Sequence, residues 1–132
     1  MANVASVVED PSEIRDFTVA DGVGIEQFTL CKLSDPRTAA ASSANSDVFA
    51  GIAMTEKKAS NGKTNLGLAQ NGIFVLTAGV TSGITAGNLV SLCGANLIKI
   101  ATEAEVVTGD VIGKALEDIA SGTTGEVRVG AI

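Results

Sequence analysis

At 132 residues, with a formal net charge of −6, no histidine, and four phenylalanines as the only aromatics, the chain reads as one domain able to bury a sizeable core. The missing histidine excludes Ser-His-Asp and Cys-His nucleophile activation and most zinc sites. Negative charge and the lack of Trp and Tyr disfavour phosphate backbones and stacked bases, so no nucleic-acid partner is expected.

The first 26 residues carry Glu9, Asp10, Glu13, Asp16, Asp21 and Glu26 against Arg15 alone, while the rest of the chain is nearly balanced. That asymmetry sets residues 1–16 apart as an extended acidic N-terminal arm, broken at Asp10-Pro11-Ser12, ahead of a β-barrel domain at 17–132. Met1 to Asp10 lacks a basic start and a long apolar run, so no secretory signal is expected. Residues 27–33 alternate apolar and polar, the period of a half-buried strand. Residues 34–47 look like a loop, with a low-complexity Ala/Ser stretch at 38–46. Strands are expected at 48–55, 65–70, 73–77, 88–93, 97–101, 111–117 and 126–132. Asn61-Gly62 and Asn71-Gly72 are hairpin signals, because Asn-Gly suits positive φ. Residues 102–107 suit a single helical turn, but Val106, Val107 and Thr108 favour strand, and 116–120 is the best place for a short helix. No charge lies between Lys63 and Lys99, but glycines break that stretch repeatedly, and it does not make a membrane span.

Short motifs recur. Phe28-Thr29-Leu30-Cys31 matches Val90-Ser91-Leu92-Cys93, and residues 49–54 match 111–116, both 62 positions apart. After a one-residue slip, Leu66-Gly67-Leu68 answers Val127-Arg128-Val129. Self-similarity of this kind implies two copies of one supersecondary unit, at about 28–69 and 90–129. The expected fold class is all-β: a small β-barrel or β-sandwich from two pseudo-repeats, with an extended N-terminal arm.

Chemistry is sparse. Ser60 and Lys63 are the only candidate nucleophile pair, and they flank a turn. Gly62-Lys63-Thr64 resembles the end of a phosphate loop, but Lys57 stands where its first glycine belongs and a strand follows. Gly22-Val23-Gly24 lacks the third glycine of a dinucleotide pattern, which falls at Gln27. Glu117-Asp118 and the Glu103/Glu105 pair lack the spacing of a calcium loop. No catalytic, cofactor-binding or metal residue is assigned, and no enzyme activity or cofactor is expected. Cys31 and Cys93 lie in apolar runs and are expected to be reduced and inert.

The order Phe49-Ala50-Gly51-Ile52-Ala53, Asn71-Gly72-Ile73-Phe74-Val75, Ala86-Gly87-Asn88-Leu89-Val90, Val111-Ile112-Gly113-Lys114-Ala115-Leu116-Glu117-Asp118 and Glu126-Val127-Arg128-Val129 resembles the capsid decoration, or head cement, proteins of tailed bacteriophages. The resemblance spans about residues 20–132. It implies a non-enzymatic virion protein, made in the host cytoplasm and seated on the outer capsid surface. It implies binding to the major capsid protein as a homotrimer, stabilising the expanded shell, with no membrane partner. By position, residues 1–16 match an arm that reaches the capsid. Val4, Val7 and Val8 would pair onto a sheet edge, and Glu9, Asp10, Glu13 and Asp16 would meet basic capsid loops. The alternative is a soluble β-barrel adaptor or ligand-binding module.

Overall fold

The computed structural model describes residues 3–80 and 83–130. In chain order the elements are β1 Ser6–Glu9, β2 Ile14–Thr18, β3 Leu30–Asp35, β4 Thr38–Ala41, β5 Phe49–Ala53, β6 Asn65–Ala69, β7 Gly72–Ala78, β8 Leu89–Gly94, β9 Leu97–Ile100, α1 Glu103–Thr108, β10 Val111–Ala115 and β11 Thr124–Val129. Strands β2-β4-β3-β5-β6 close into one barrel. Strands β7-β11-β10-β8-β9 close into a second, and β1 adds to the outside of β7. Each barrel closes through a short parallel contact, Thr18 beside Thr38 in the first and Thr77 beside Leu97 in the second. No helix among the described residues is long and apolar enough to cross a membrane.

The two expected copies are therefore two closed barrels, but the repeat runs at 59 positions through most of its length. Gly51 pairs with Cys31, and Gly113 pairs with Val90. Leu33 faces Ala39, and Leu92 faces Ile98. Arg15 faces Leu68, and Phe74 faces Val127. Only β5 and β10 stand 62 apart, as the sequence match at 49–54 indicated. The connection 101–110, which holds α1, is three residues longer than its counterpart 42–48, and 116–123 is three shorter than 54–64. The echo between residues 28–31 and 90–93 is thus out of step by three. The twin of Cys31 is Val90, and the twin of Cys93 is Ser34.

Alternation along β7 shows how the core is built. Phe74, Leu76 and Ala78 are buried while Ile73 and Val75 are half-exposed. Phe74, Leu76, Val90, Leu92, Ile98, Ile112, Ile119, Val127 and Val129 fill the second barrel, and that cluster continues into Leu30, Ile52 and Ala69 of the first. The first barrel is packed with smaller groups, among them Cys31, Ala39, Ala50 and Ala53 beside Val19, Leu66 and Leu68. Each large aliphatic side chain so buried contributes about 1.5–3 kcal/mol.

Three expectations change. The Ala/Ser stretch is not a loop throughout: Thr38–Ala41 is a strand, because pairing with β3 overrides weak intrinsic preference and Ala39 enters the first core. The rest of the stretch clasps the barrels together. Ser42 Oγ accepts from Asn96 N at 2.9 Å, Asn96 Oδ1 accepts from Leu30 N at 2.9 Å, and Ser46 N donates to Leu92 O at 3.0 Å. Residues 103–108 are helical despite Val106 and Val107, because Thr102 and Glu105 form a capping box and Gly109 closes the end at φ 81°. No helix forms at 116–120, where Ile119 bridges Ile84.

Neither Asn-Gly pair makes a tight hairpin. Asn61-Gly62 lies in an eleven-residue connection between β5 and β6. Asn71-Gly72 carries the chain from one barrel to the next, and β6 and β7 do not pair.

Candidate functional site

The expected arm is built into the fold. Ser6 pairs with Val75, Val7 with Phe74, and Glu9 with Ile73. Ala5 is buried and its N–H donates to Phe28 O at 2.9 Å. Val7 packs against the second core, Val4 is half-buried, and Val8 faces solvent. The physical reason lies in β7, which β9 reaches only at Thr77 and Ala78. The first half of that edge would otherwise be bare, and β1 covers it. A boundary at residue 16 also falls inside β2, where Ile14, Arg15 and Asp16 pair with Ala69, Leu68 and Gly67. Residues 1–16 are thus not a separable segment. Residues 1 and 2 lie outside the described residues.

Three of the four acidic candidates come together. Glu9, Asp10 and Glu13 line an open cleft of about 530 Å³, with Gln70, Asn71, Gly72, Ile73 and the strand end at Arg128, Val129 and Gly130. Asn71 fixes the acidic turn between β1 and β2. Its Oδ1 accepts from Ser12 N at 2.9 Å and Glu13 N at 3.0 Å, and its Nδ2 donates to Ser12 Oγ at 2.8 Å. Arg15 Nε lies 3.3 Å from Glu13 Oε1 in an exposed pair, which contributes little stability. Asp16 does not join the cleft; it stands on β2, where its carbonyl accepts from Arg37 Nε at 3.0 Å. The Arg37 guanidinium sits 6.0 Å from the centre of the Phe17 ring.

Two buried ionic groups escaped the sequence reading. Lys57, whose side chain is fully buried, donates to the carbonyls of Asp21 at 2.8 Å, Lys58 at 3.1 Å and Val23 at 3.3 Å. All three ammonium protons are engaged, so it acts as a structural pin for the loop 21–24. Its twin in the second barrel is the apolar Ile119, and both backbones make the same bridge, to Ile25 and Ile84. The two stand 62 positions apart, the offset of β5 and β10, and the equivalent bridges confirm them as twins. The second is Glu105, the one buried residue of α1. Its Oε1 accepts from Lys99 Nζ at 2.8 Å, Thr102 N at 2.8 Å and Ser91 Oγ at 3.1 Å. Burial alone would raise its pKa, but hydrogen bonds from Lys99, Ser46 and Thr102 outweigh this and hold it at about 2. The spacing Thr102-x-x-Glu105 was the available signal.

The remaining chemical candidates are placed without forming a site. Ser60 N donates to Asp21 O at 2.6 Å, and Lys63 N donates to Asn61 Oδ1 at 3.0 Å. Gly62 N donates to Asp21 Oδ1 at 2.8 Å, and strand β6 follows, so the phosphate-loop alternative has neither free amides nor a helix. Both cysteines are free thiols. Burial pushes the Cys31 thiol up to about 12, and burial also raises that of Cys93. Among the described residues no cluster of metal-ligating side chains is found.

The fold thus defines an all-β, tandem-barrel protein with an open cleft lined in part by Glu9, Asp10 and Glu13. No protein-family model and no curated protein matches the sequence. Among solved structures, the chain is similar to the crystal structure of the head fiber gp8.5 N base in bacteriophage phi29. The likeness has a TM-score of 0.55 and 15% identity, and covers 89% of this chain and 94% of that one. At that identity it is a likeness of fold.

Proposed function

We propose that the chain is a structural, non-enzymatic component of a tailed-phage head: a decoration protein that binds the outer surface of the major capsid protein as a homotrimer and stabilises the expanded shell. The observation that carries this reading is the fold shared, over nearly the whole of both chains, with a protein described as the base of a phage head fiber. That fold was found independently of the short motifs that resemble decoration proteins. Fold alone does not dictate function, so the support lies in the agreement of the two. The physical character fits the task. Two closed barrels leave few open sheet edges. The buried clasp at Asn96, Ser42 and Leu30 makes them one stiff body. The acidic cleft with Glu9, Asp10 and Glu13 offers a counterpart to basic loops on a shell.

The test is co-sedimentation with expanded heads that lack decoration protein. The full chain is compared with one in which Glu9, Asp10 and Glu13 are replaced by lysine. Charge reversal is preferred to truncation, because β2 belongs to a barrel. Saturable binding at a fixed ratio to capsid subunits, weakened by charge reversal, is expected. Absence of binding to expanded heads would overturn the reading and favour a soluble adaptor. Sedimentation velocity of the free and head-bound protein tests the trimer.

A further inference from the structure

The corrected repeat exposes an asymmetry between the barrels. β2 and β7 are twins, 59 positions apart, and each meets the closing strand of its barrel only near its C-terminal end. On β7 the rest of that edge is covered by β1, through Ile73 and Val75. The twin positions on β2 are Ile14 and Asp16, and among the described residues no strand lies there. The hydrogen-bonding alternation fixes which groups are open. Gln70 N donates to Glu13 O, so the odd-numbered residues of β2 face β6, and Thr18 N donates to Arg37 O on the opposite side. Ile14 N–H, Ile14 C=O and Asp16 N–H therefore point outward, with no main-chain partner among the described residues. Ile14 is 52% exposed. Arg37 caps the Asp16 carbonyl at one end of the gap.

We infer that the outer edge of β2 at Ile14–Asp16 is a strand-acceptor site for an extended segment of another protein. The segment sets an apolar side chain against Ile14 and a basic one against Asp16. Main-chain bonds supply affinity in such additions, and cross-strand side-chain pairs supply selectivity. Neighbouring charges are already engaged: Arg15 with Glu13, and Arg37 with the Asp16 carbonyl and the Phe17 ring. The Asp16 carboxylate is left for the incoming strand.

A second copy's β1 fits poorly. In the register it adopts on β7 it would set Glu9 against Ile14, beside Glu13. On β7 the same row continues from Ile73 to Arg128, which offsets Glu9; on β2 it continues to Ala69. In the head-decoration reading the donor is a segment of the capsid protein, and that clause alone rests on the reading above.

The probe is a capped pentapeptide, threonine-lysine-threonine-valine-threonine, titrated to millimolar concentration against the isotope-labelled full chain. The control carries glutamate in place of lysine. Amide shifts centred on Ile14, Asp16 and Arg37, and at least tenfold slower hydrogen exchange at the Ile14 and Asp16 amides, are expected with the lysine peptide only. Ile14→Pro removes an outward N–H that no barrel bond uses, and should abolish the effect. Asp16→Lys keeps every main-chain group and should transfer preference to the glutamate peptide, so the test survives poor folding of the proline variant.

No shifts at saturation, equal response to both peptides, or shifts confined to the β1 edge would overturn the inference. Concentration-dependent self-association that Ile14→Pro abolishes would overturn the choice of partner in favour of a second copy. Expanded heads that bind wild type and Asp16→Lys equally would overturn the link to the capsid. Heads that bind neither would overturn the decoration reading, while the peptide result stands on its own.

Discussion

Replacing Glu105 by Gln isolates one charge in a buried network. The Glu105 side chain is 5% exposed and its partner Lys99 side chain 15%. Burial opposes the charge, yet the bonds from Lys99, Ser46 and Thr102 hold the pKa at about 2, against an ordinary 4.5. At 1.36 kcal/mol per pH unit, that depression corresponds to about 3 kcal/mol of folding stability. The folded-state pKa lies below the unfolded one, so this contribution is fully present above about pH 4.5 and is lost as pH falls through about 2. Gln keeps the shape and cannot ionise. E105Q should therefore be about 3 kcal/mol less stable than wild type at pH 7, a fall in Tm of roughly 10–15 °C. The gap should shrink between pH 4.5 and 2 and close below. Denaturant unfolding of both chains at a series of pH values measures it. Equal stabilities at pH 7, or a gap that stays constant down to pH 2, would refute the reasoning.

Other predictions follow from single contacts. Lys57→Met leaves the carbonyls of Asp21, Val23 and Lys58 without their donor. It should cost about 3 kcal/mol by chemical denaturation, and unchanged stability would show that the apolar gain offsets the lost bonds. Gly113 has no room for a Cβ against the Arg128 carbonyl, so Gly113→Ala should cost about 1–3 kcal/mol or more in thermal unfolding; a neutral result would mean that β10 and β11 can separate without penalty. The Cys31 thiol, at about 12, should resist a thiol-specific disulfide reagent at pH 8 in the native chain and react once denaturant is added; prompt native labelling of Cys31 would contradict its burial.

The sequence by itself determined what depends on local pattern. The apolar run at 73–77 and the segment 88–93, each bounded by turn residues, marked strands that the fold contains as β7 and β8. The match between 49–54 and 111–116 marked a duplication, because Gly51 and Gly113 each sit where two strands cross closely. The absence of histidine and of clustered ligands bounded the chemistry.

Only the tertiary structure decided the rest, and in each case a long-range contact outweighed the local signal. The acidic start looked separable because charge suggests solvation, whereas the bare half-edge of β7 draws Ser6–Glu9 into the sheet. Ala39 to Ala41 looked featureless because small side chains carry little strand preference, yet pairing with β3 makes them a strand and buries Ala39 in the first core. The cysteines looked equivalent because two apolar runs both end in Leu-Cys, while backbone pairing sets their twins three residues away. The unfilled edge at Ile14 was invisible for the same reason: it exists only by comparison with a filled one, and that comparison needs the register of two barrels.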